Sequence, residues 1–293
     1  MADFYLSAFA DEAADSLEEQ ISALVRNRIC YIEPRNIDGK GILTLTDNQL
    51  MNVKQKLDKA GIKVNSLGSP IGKYPIEEDF EPHLALFKRA LEVAKILNTD
   101  KIRMFSFFVK QEELAKWRDE VIRRLTIMTE LAAEAGITLC HENETHIYGQ
   151  MPAEVKDLIT AVPGLCAIFD PANYRMNDGD VYDGINATLV RLAYLHIKDA
   201  EFSTQTIVPA GEGEGKIGEI VDIVNEKTSD KIYLTMEPHL MEFLAYKSID
   251  THSLKGKYTF ESNGEAFDFA VKVFKELLTK HGYREVECGL WKK

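Results

Sequence analysis

Glu134-Ala-Gly-Ile-Thr-Leu-Cys-His-Glu142 decides the fold. Gly136 ends a helical pattern in the left-handed conformation that glycine adopts without a steric penalty. The residues after it form a short apolar strand, and that strand finishes on a carboxylate. The same junction, Ala60-Gly61-Ile62, precedes the apolar run Lys63–Leu67. One unit, helix then glycine then strand, is therefore used more than once.

Outward from that unit, eight candidate strands follow each other: Tyr5–Ala8, Cys30–Pro34, Lys63–Leu67, Lys101–Phe105, Thr138–Glu142, Cys166–Asp170, Tyr194–Lys198 and Ile232–Glu237. Their starts lie roughly 25–38 residues apart, the length of a strand plus its covering helix. Near-continuous apolar strands are what a parallel sheet needs when helices cover it. Ser16-x-x-Glu19 and Thr46-x-x-Gln49 read as capping boxes. Behind the first, Leu17, Ile21, Leu24 and Val25 form an apolar stripe; behind the second, Leu50, Val53 and Leu57 do. Further helices are expected from Pro152 to Ala161, near Ile217–Glu226 and over Glu265–His281, with a short one around Asp183–Val190. The pattern predicts a single (β/α)8 TIM barrel over residues 1–293, with an extended loop at about 240–263 and a short tail at about 282–293. The loop is read as a lid or a homo-oligomer contact. A doubly wound open sheet could hold the same units, but the pattern of strand ends favours closure.

Composition narrows the function classes. The chain has 293 residues, 45% hydrophobic and 28% charged, and a formal net charge of −12. With no dense Lys/Arg cluster, that balance argues against a nucleic-acid partner. Cys30, Cys140, Cys166 and Cys288 include no CxxC pair, so a reducing cytoplasm is expected. No run approaches 18 apolar residues, and the first residues lack a signal-peptide pattern, so no membrane span is expected.

In a barrel of this kind the active site lies at the C-terminal ends of the strands. Strand five ends His141-Glu142-Asn143-Glu144 and strand six ends Phe169-Asp170-Pro171-Ala172-Asn173. Strand seven ends His196-Ile197-Lys198-Asp199 and strand eight ends Met236-Glu237-Pro238-His239. Four consecutive strands thus finish with a side chain that can bind a metal. Three carboxylates and an imidazole converging would repel one another, and one divalent cation (Mn, Mg, Co or Zn) relieves the conflict.

These strand ends resemble those of the xylose-isomerase-like, sugar phosphate isomerase/epimerase superfamily. The resemblance implies that Glu142, Asp170, His196 and Glu237 bind the metal, and that Glu142 and Glu237 form an acid/base pair as in the ketose 3-epimerases. The chain departs from those epimerases at two places. They carry a His three positions after the strand-six Asp, where this chain has Asn173. They carry an Arg shortly after the strand-seven His, and here no Arg lies between His196 and Lys216, with Phe202 in that stretch.

Substrate-binding candidates are Lys198, Asn173, His239, Glu33, Arg35 and Arg103. For the arginines, recognition of a substrate anion competes with a structural Arg–Glu pair. Lys198 and Asp199 fit either substrate contact or support of the metal ligands. His141 should point away from Glu142, into packing, while Glu144 shares the face of Glu142 beyond the strand. Gly211-Glu-Gly-Glu-Gly-Lys-Ile-Gly218 invites a phosphate cradle, yet its glutamates favour a mobile loop over the pocket. Trp117 reads as helix packing and Trp291 as a tail anchor. Phe105, Phe107 and Phe108 fit core or pocket lining.

The expected function is a divalent-metal-dependent isomerase or epimerase of a small sugar, sugar phosphate or sugar-like acid, moving a proton through a metal-stabilised enediolate. The alternatives are a metal-dependent dehydratase of an inosose or dehydroshikimate type and a non-catalytic sugar-binding barrel. Apurinic endonuclease activity would need a histidine-rich zinc cluster and a basic groove, which this acidic chain lacks.

Overall fold

Every expected strand forms, with its edges moved by a few residues, in a computed structural model that describes residues 1–242 and 258–293. The strands are β1 Asp3–Ala8, β2 Tyr31–Ile32, β3 Lys63–Val64, β4 Leu67–Gly68, β5 Lys101–Met104, β6 Thr138–Glu142, β7 Cys166–Phe169, β8 Leu192–Ile197 and β9 Lys231–Met236. The third expected strand is broken into β3 and β4 around Asn65 and Ser66. Inside the barrel the Asn65 side chain accepts from Ser7 Oγ at 2.6 Å and donates to Thr235 Oγ1 at 3.4 Å. From β4 the parallel ladder runs through β5, β6, β7, β8 and β9 to β1. The ring closes where the Glu33 N–H donates to Ala8 O and β2 pairs with β3. The barrel, rather than the open sheet, is the outcome.

The helices around it are α1 Leu17–Arg26, α2 Asp47–Lys59, α3 Phe80–Leu97, α4 Leu114–Glu134, α5 Pro152–Ala161, α6 Pro171–Met176, α7 Val181–Thr188, α8 Ile217–Lys227 and α9 Asn263–Lys280. None of the described helices is long and apolar enough to cross a membrane. Thr46 completes its capping box. Ser16 completes only half: it accepts the Glu19 N–H, while the Glu19 carboxylate takes the Ser16 hydroxyl instead of the backbone N–H. The buried face of α1 is also turned from the expected stripe, and Val25 is 54% exposed. Gln20 takes the buried place because its amide donates to Asp15 O and Asn36 O.

Phe4, Phe87, Phe267 and Phe274 fill the layer between sheet and helices. A separate cluster of Tyr31, Cys140, Ile168, Tyr194 and Tyr233 fills the foot of the barrel. The tail is a hairpin, β10 Arg284–Glu287 with β11 Leu290–Lys292, whose second strand pairs antiparallel with β1 and buries Trp291. Gly289 makes its turn at φ +71°. Most of the expected loop at 240–263 lies outside the described residues, and with it the reading as a lid or oligomer contact.

Gly72 governs how the chain leaves the third and fourth barrel positions. At φ +87°, a Cβ there would stand 1.9 Å from Phe105 O. That contact lets the segment after β4 run beside the one after β5, with Phe105 N–H on Ile71 O and Phe107 N–H on Gly72 O. The Gly72 N–H donates to His83 Nε2 at 3.0 Å, which requires a neutral imidazole. Burial, helped by the Arg124 charge, lowers the His83 pKa from 6.5 to about 4.

Gly72→Ala is expected to cost at least about 2 kcal/mol, lowering Tm by roughly 4–8 °C; an unchanged Tm would remove the steric argument. His83 supplies a pH test. Its folded pKa lies below the unfolded one, so its contribution is complete above pH 6.5 and is lost as pH falls toward about 4. The slope from this group reaches at most about 1.4 kcal/mol per pH unit, and His83→Gln should flatten it in denaturant titrations across that window.

Candidate metal centre

Alternation along parallel strands brings the four expected ligands to one point. Glu142 is the last residue of β6, and His196 the last but one of β8. Asp170 and Glu237 directly follow β7 and β9. Their ligand atoms all lie within 4.8 Å of one another, and the residues are only 0–3% exposed. His196 Nδ1 lies 3.0 Å from Glu142 Oε1 and 3.2 Å from Glu237 Oε2. Asp170 keeps one oxygen for structure, since Oδ1 accepts the Asn173 N–H and caps α6.

Three fixed cations stand beside these ligands. Arg103 Nη1 donates to Glu142 Oε2 at 3.2 Å, and Arg35 Nη1 donates to Glu237 Oε1 at 3.1 Å. Each glutamate thus gives one oxygen to a guanidinium and turns the other toward His196. Phe9 separates the two arginines, with its ring centre 4.4 Å from Arg35 Cζ and 4.8 Å from Arg103 Cζ. It also meets the His196 ring edge-on at 5.1 Å. Lys198 Nζ pairs with Asp170 Oδ2 at 2.7 Å and lies 3.7 Å from Glu237 Oε2.

Electrostatics favour a cation at the centre. The carboxyls of Asp11, Glu12, Glu33, Glu142, Asp170 and Glu237 outnumber Arg35, Arg103 and Lys198. Burial would raise Glu142 and Glu237, but positive neighbours outweigh it: His196 and Arg103 for the first, Lys198 and His196 for the second. Both fall below the ordinary carboxylate range. Burial pushes Asp170 up to about 7, because Lys198 offsets it only in part and Glu142 and Glu237 add to it. For His196, burial is overcome by Glu142, Glu237 and Glu33, which raise it well above the ordinary imidazole range. Glu237 Oε2, although buried, receives no hydrogen bond. Three carboxylates and an imidazole nitrogen suit a divalent metal, which would neutralise the surplus charge and take the His196 lone pair.

The substrate-binding candidates separate in the structure. Arg35, Arg103, Lys198, Asn173 and His239 edge the ligand cluster. Asn173 Nδ2 donates to Asn143 O at 2.8 Å and to Glu142 Oε1 at 3.4 Å, so it braces Glu142. His239, at φ +44°, donates its backbone N–H to Glu12 Oε2 at 2.8 Å. Burial pulls its imidazole down to about 3, which keeps it neutral. Glu12, Glu237 and His239 also lie close enough to share an ion, but the Arg35 guanidinium already sits 3.5 Å from Glu12 Oε1 and fills that cationic place. Glu33 is fully buried behind His196, its Oε2 3.5 Å from Nε2. His141 faces away from the centre, with Nε2 2.9 Å from Ser106 Oγ. Glu144 pairs with Lys73 at 3.0 Å.

Asp11, Glu12 and Phe9 belong to the site and were not read as such from the sequence. They follow β1, with Asp11 and Glu12 in a 3-10 turn three and four residues past the strand end, where strand alternation no longer assigns a face. The glycine-rich loop is neither a phosphate cradle nor a loose flap. Asp199 accepts the N–H groups of Gly211, Gly213 and Gly215 at 2.8–3.1 Å, so a carboxylate of the chain already fills the anion position. A Cβ at Gly213 or Gly215 would stand 2.4 or 2.7 Å from Asp199 Oδ1, which is why glycine is needed there.

The sequence model of the "Xylose isomerase-like TIM barrel" family matches residues 31–255. No curated protein matches this sequence significantly. Among solved structures, the IOLI protein with a bound zinc atom is similar over 94% of this chain and 99% of its own, with TM-score 0.73 and 15% identity. D-psicose 3-epimerase, solved in the presence of D-fructose, is similar over 93% and 99%, with TM-score 0.69 and 17% identity. The probable 3-DHS dehydratase AsbF of Bacillus anthracis, involved in petrobactin synthesis, is similar over 94% and 98%, with TM-score 0.69 and 15% identity. At these identities the likeness is one of fold.

Asp199→Ala leaves those three N–H groups without their acceptor. It is expected to cost at least about 2 kcal/mol and to open residues 209–216 to limited proteolysis. Resistance equal to that of the unsubstituted chain would mean the loop is held by something else.

Proposed function

The chain belongs to the xylose isomerase-like TIM barrel family, and on that premise we propose that it is a divalent-metal-dependent isomerase or epimerase of a small sugar, sugar phosphate or sugar-like acid. The observation that carries this reading is the convergence of Glu142, Asp170, His196 and Glu237 on one buried point. The zinc atom of IOLI and the sugar chemistry of D-psicose 3-epimerase support it by analogy.

When bound by these four residues, a divalent metal would supply Lewis acidity to the carbonyl and adjacent hydroxyl oxygens of the substrate. The remaining work belongs to side chains. Glu237 takes the proton from the carbon beside the carbonyl, and Glu142 returns one from the opposite side. Arg35 and Arg103 keep both carboxyls ionised and oriented, each holding one oxygen. Lys198 and Arg103 offer positive donors, and the neutral His239 imidazole a hydrogen-bonding edge, to substrate oxygens. Phe9, fully buried, packs against both guanidiniums and the His196 ring.

A second reading, metal-dependent dehydration, is favoured by one local feature. Asn173 stands where the ketose 3-epimerases carry a histidine, and its amide is spent on Glu142 and Asn143. The likeness to a probable dehydratase points the same way. There the second glutamate would protonate a departing hydroxyl instead of carbon.

Metal analysis of the purified chain is expected to give about one divalent ion, lost in His196→Ala. Glu237→Gln should keep the fold and reduce turnover by about 10²–10⁴; wild-type turnover in that variant would sink the mechanism. NMR of ketoses and sugar acids in deuterated water separates the two readings. Deuterium gained at carbon without loss of water marks the isomerase or epimerase, and an unsaturated product marks the dehydratase.

A further inference from the structure

From the candidate ligand His196 toward the foot of the barrel runs a chain of three fully buried side chains, His196, Glu33 and Tyr194. Tyr194 Oη donates to Glu33 Oε1 at 2.8 Å. Glu33 Oε2 and His196 Nε2 face each other across 3.5 Å, and neither atom has a hydrogen-bond partner in the structure. The opposite ring nitrogen, Nδ1, faces Glu142 and Glu237. The ring itself is held by Phe9 edge-on at 5.1 Å and by Tyr194 at 5.6 Å.

A carboxylate buried this deeply is costly unless it has a task, because the same volume filled with apolar groups is often as stable or more so. Two facing orphan atoms show what the task is. A neutral imidazole carries one proton, and the nitrogen that holds it cannot bind a metal. With Glu33 behind Nε2, the proton belongs on Nε2 and the Nδ1 lone pair is left for the ion. We propose that Glu33, steadied by Tyr194, is a positioning residue that fixes the tautomer and orientation of His196 so that Nδ1 binds the metal. This rests on the reading of Glu142, Asp170, His196 and Glu237 as metal ligands. It gives Glu33 a role apart from substrate contact, and it makes part of the foot of the barrel a support for the ion at its mouth.

The test uses the full-length chain and Co(II) alone, so no substrate need be known. Visible absorption and calorimetry give the coordination and affinity of the wild type, Glu33→Gln, Glu33→Ala and Tyr194→Phe. Circular dichroism and Tm report the fold. Glu33→Ala is expected to weaken Co(II) binding by about 10–100-fold and to alter the Co(II) spectrum. Glu33→Gln keeps an uncharged acceptor and should fall between it and the wild type. Tyr194→Phe should shift affinity in the same direction by less. A second measurement needs no variant: ¹H–¹⁵N correlation on the zinc-loaded, histidine-labelled chain should place the His196 proton on Nε2. A proton on Nδ1, or folded Glu33 variants with wild-type affinity and spectrum, overturns the positioning role while leaving the metal site standing. A wild type that binds neither Co(II) nor zinc overturns both the metal reading and this inference.

Discussion

Negative charge crowded into nearly dry space sets the terms for the mouth of this barrel. Two like charges 4 Å apart repel by about 4 kcal/mol at an effective dielectric constant of about 20, and here six carboxyls meet within one cluster. The chain answers with fixed partners: Arg35 for Asp11 and Glu237, Arg103 for Glu142, and Lys198 for Asp170. Phe9 is the common platform, since both guanidiniums pack on its ring and His196 meets its edge. Because, among the described residues, the cations still fall short of the carboxyls, the remaining imbalance converges on His196 and its acidic neighbours Glu33, Glu142 and Glu237. The location of the candidate metal centre therefore follows from where compensation runs out.

The fold makes this crowding possible by grading the barrel interior along its axis. Along β2 and the residues that follow it, the inward side chains climb from Tyr31 through Glu33 to Arg35. On β8 they climb from Tyr194 to His196, on β9 from Tyr233 through Thr235 to Glu237 just past its end, and on β6 from Cys140 to Glu142. The foot is aromatic: Lys231 Nζ lies 4.3–4.7 Å from the ring centres of Tyr31, Tyr5 and Tyr233, and it donates to Tyr31 Oη. A polar layer of Ser7, Asn65 and Thr235 follows, and the charged groups stand above it. Two-residue periodicity in parallel strands aligns these layers. A slip of one residue in any strand would send its charged group into the helix layer.

That periodicity is also why so much was legible in the sequence. Strand ends can be counted, so Glu142, Asp170, His196 and Glu237 fall out of the pattern, and glycines at helix ends mark where strands begin. What was missed lies where counting stops working. Asp11 and Glu12 sit in a 3-10 turn beyond β1, where alternation no longer assigns a face. Glu33 was recognisable as inward, but its height relative to His196 depends on strand stagger, which periodicity does not encode. The arginines were left between substrate contact and carboxylate pairing, and the structure supplies the pairs. In the glycine-rich loop the sequence offered glutamates to weigh. The decisive acid was Asp199, ten or more residues earlier, reaching backbone groups that no side-chain pattern reveals.

Buried polar atoms without partners add a last physical argument for where function lies. Each such atom costs about 1–3 kcal/mol, and stable folds keep them few. Here Glu33 Oε2, His196 Nε2 and Glu237 Oε2 are adjacent members of one cluster. Others lie singly in the helices, such as Thr129 Oγ1 and Glu154 Oε2, whereas these three meet at one imidazole. Three such atoms at one ring mark side chains arranged for a purpose other than stability. Stability alone would favour a hydrophobic replacement at each of these positions. The chain places charge there, so the mouth of the barrel is arranged to bind and to react, and the surrounding ladder of parallel strands supplies the rigidity that holds the arrangement in place.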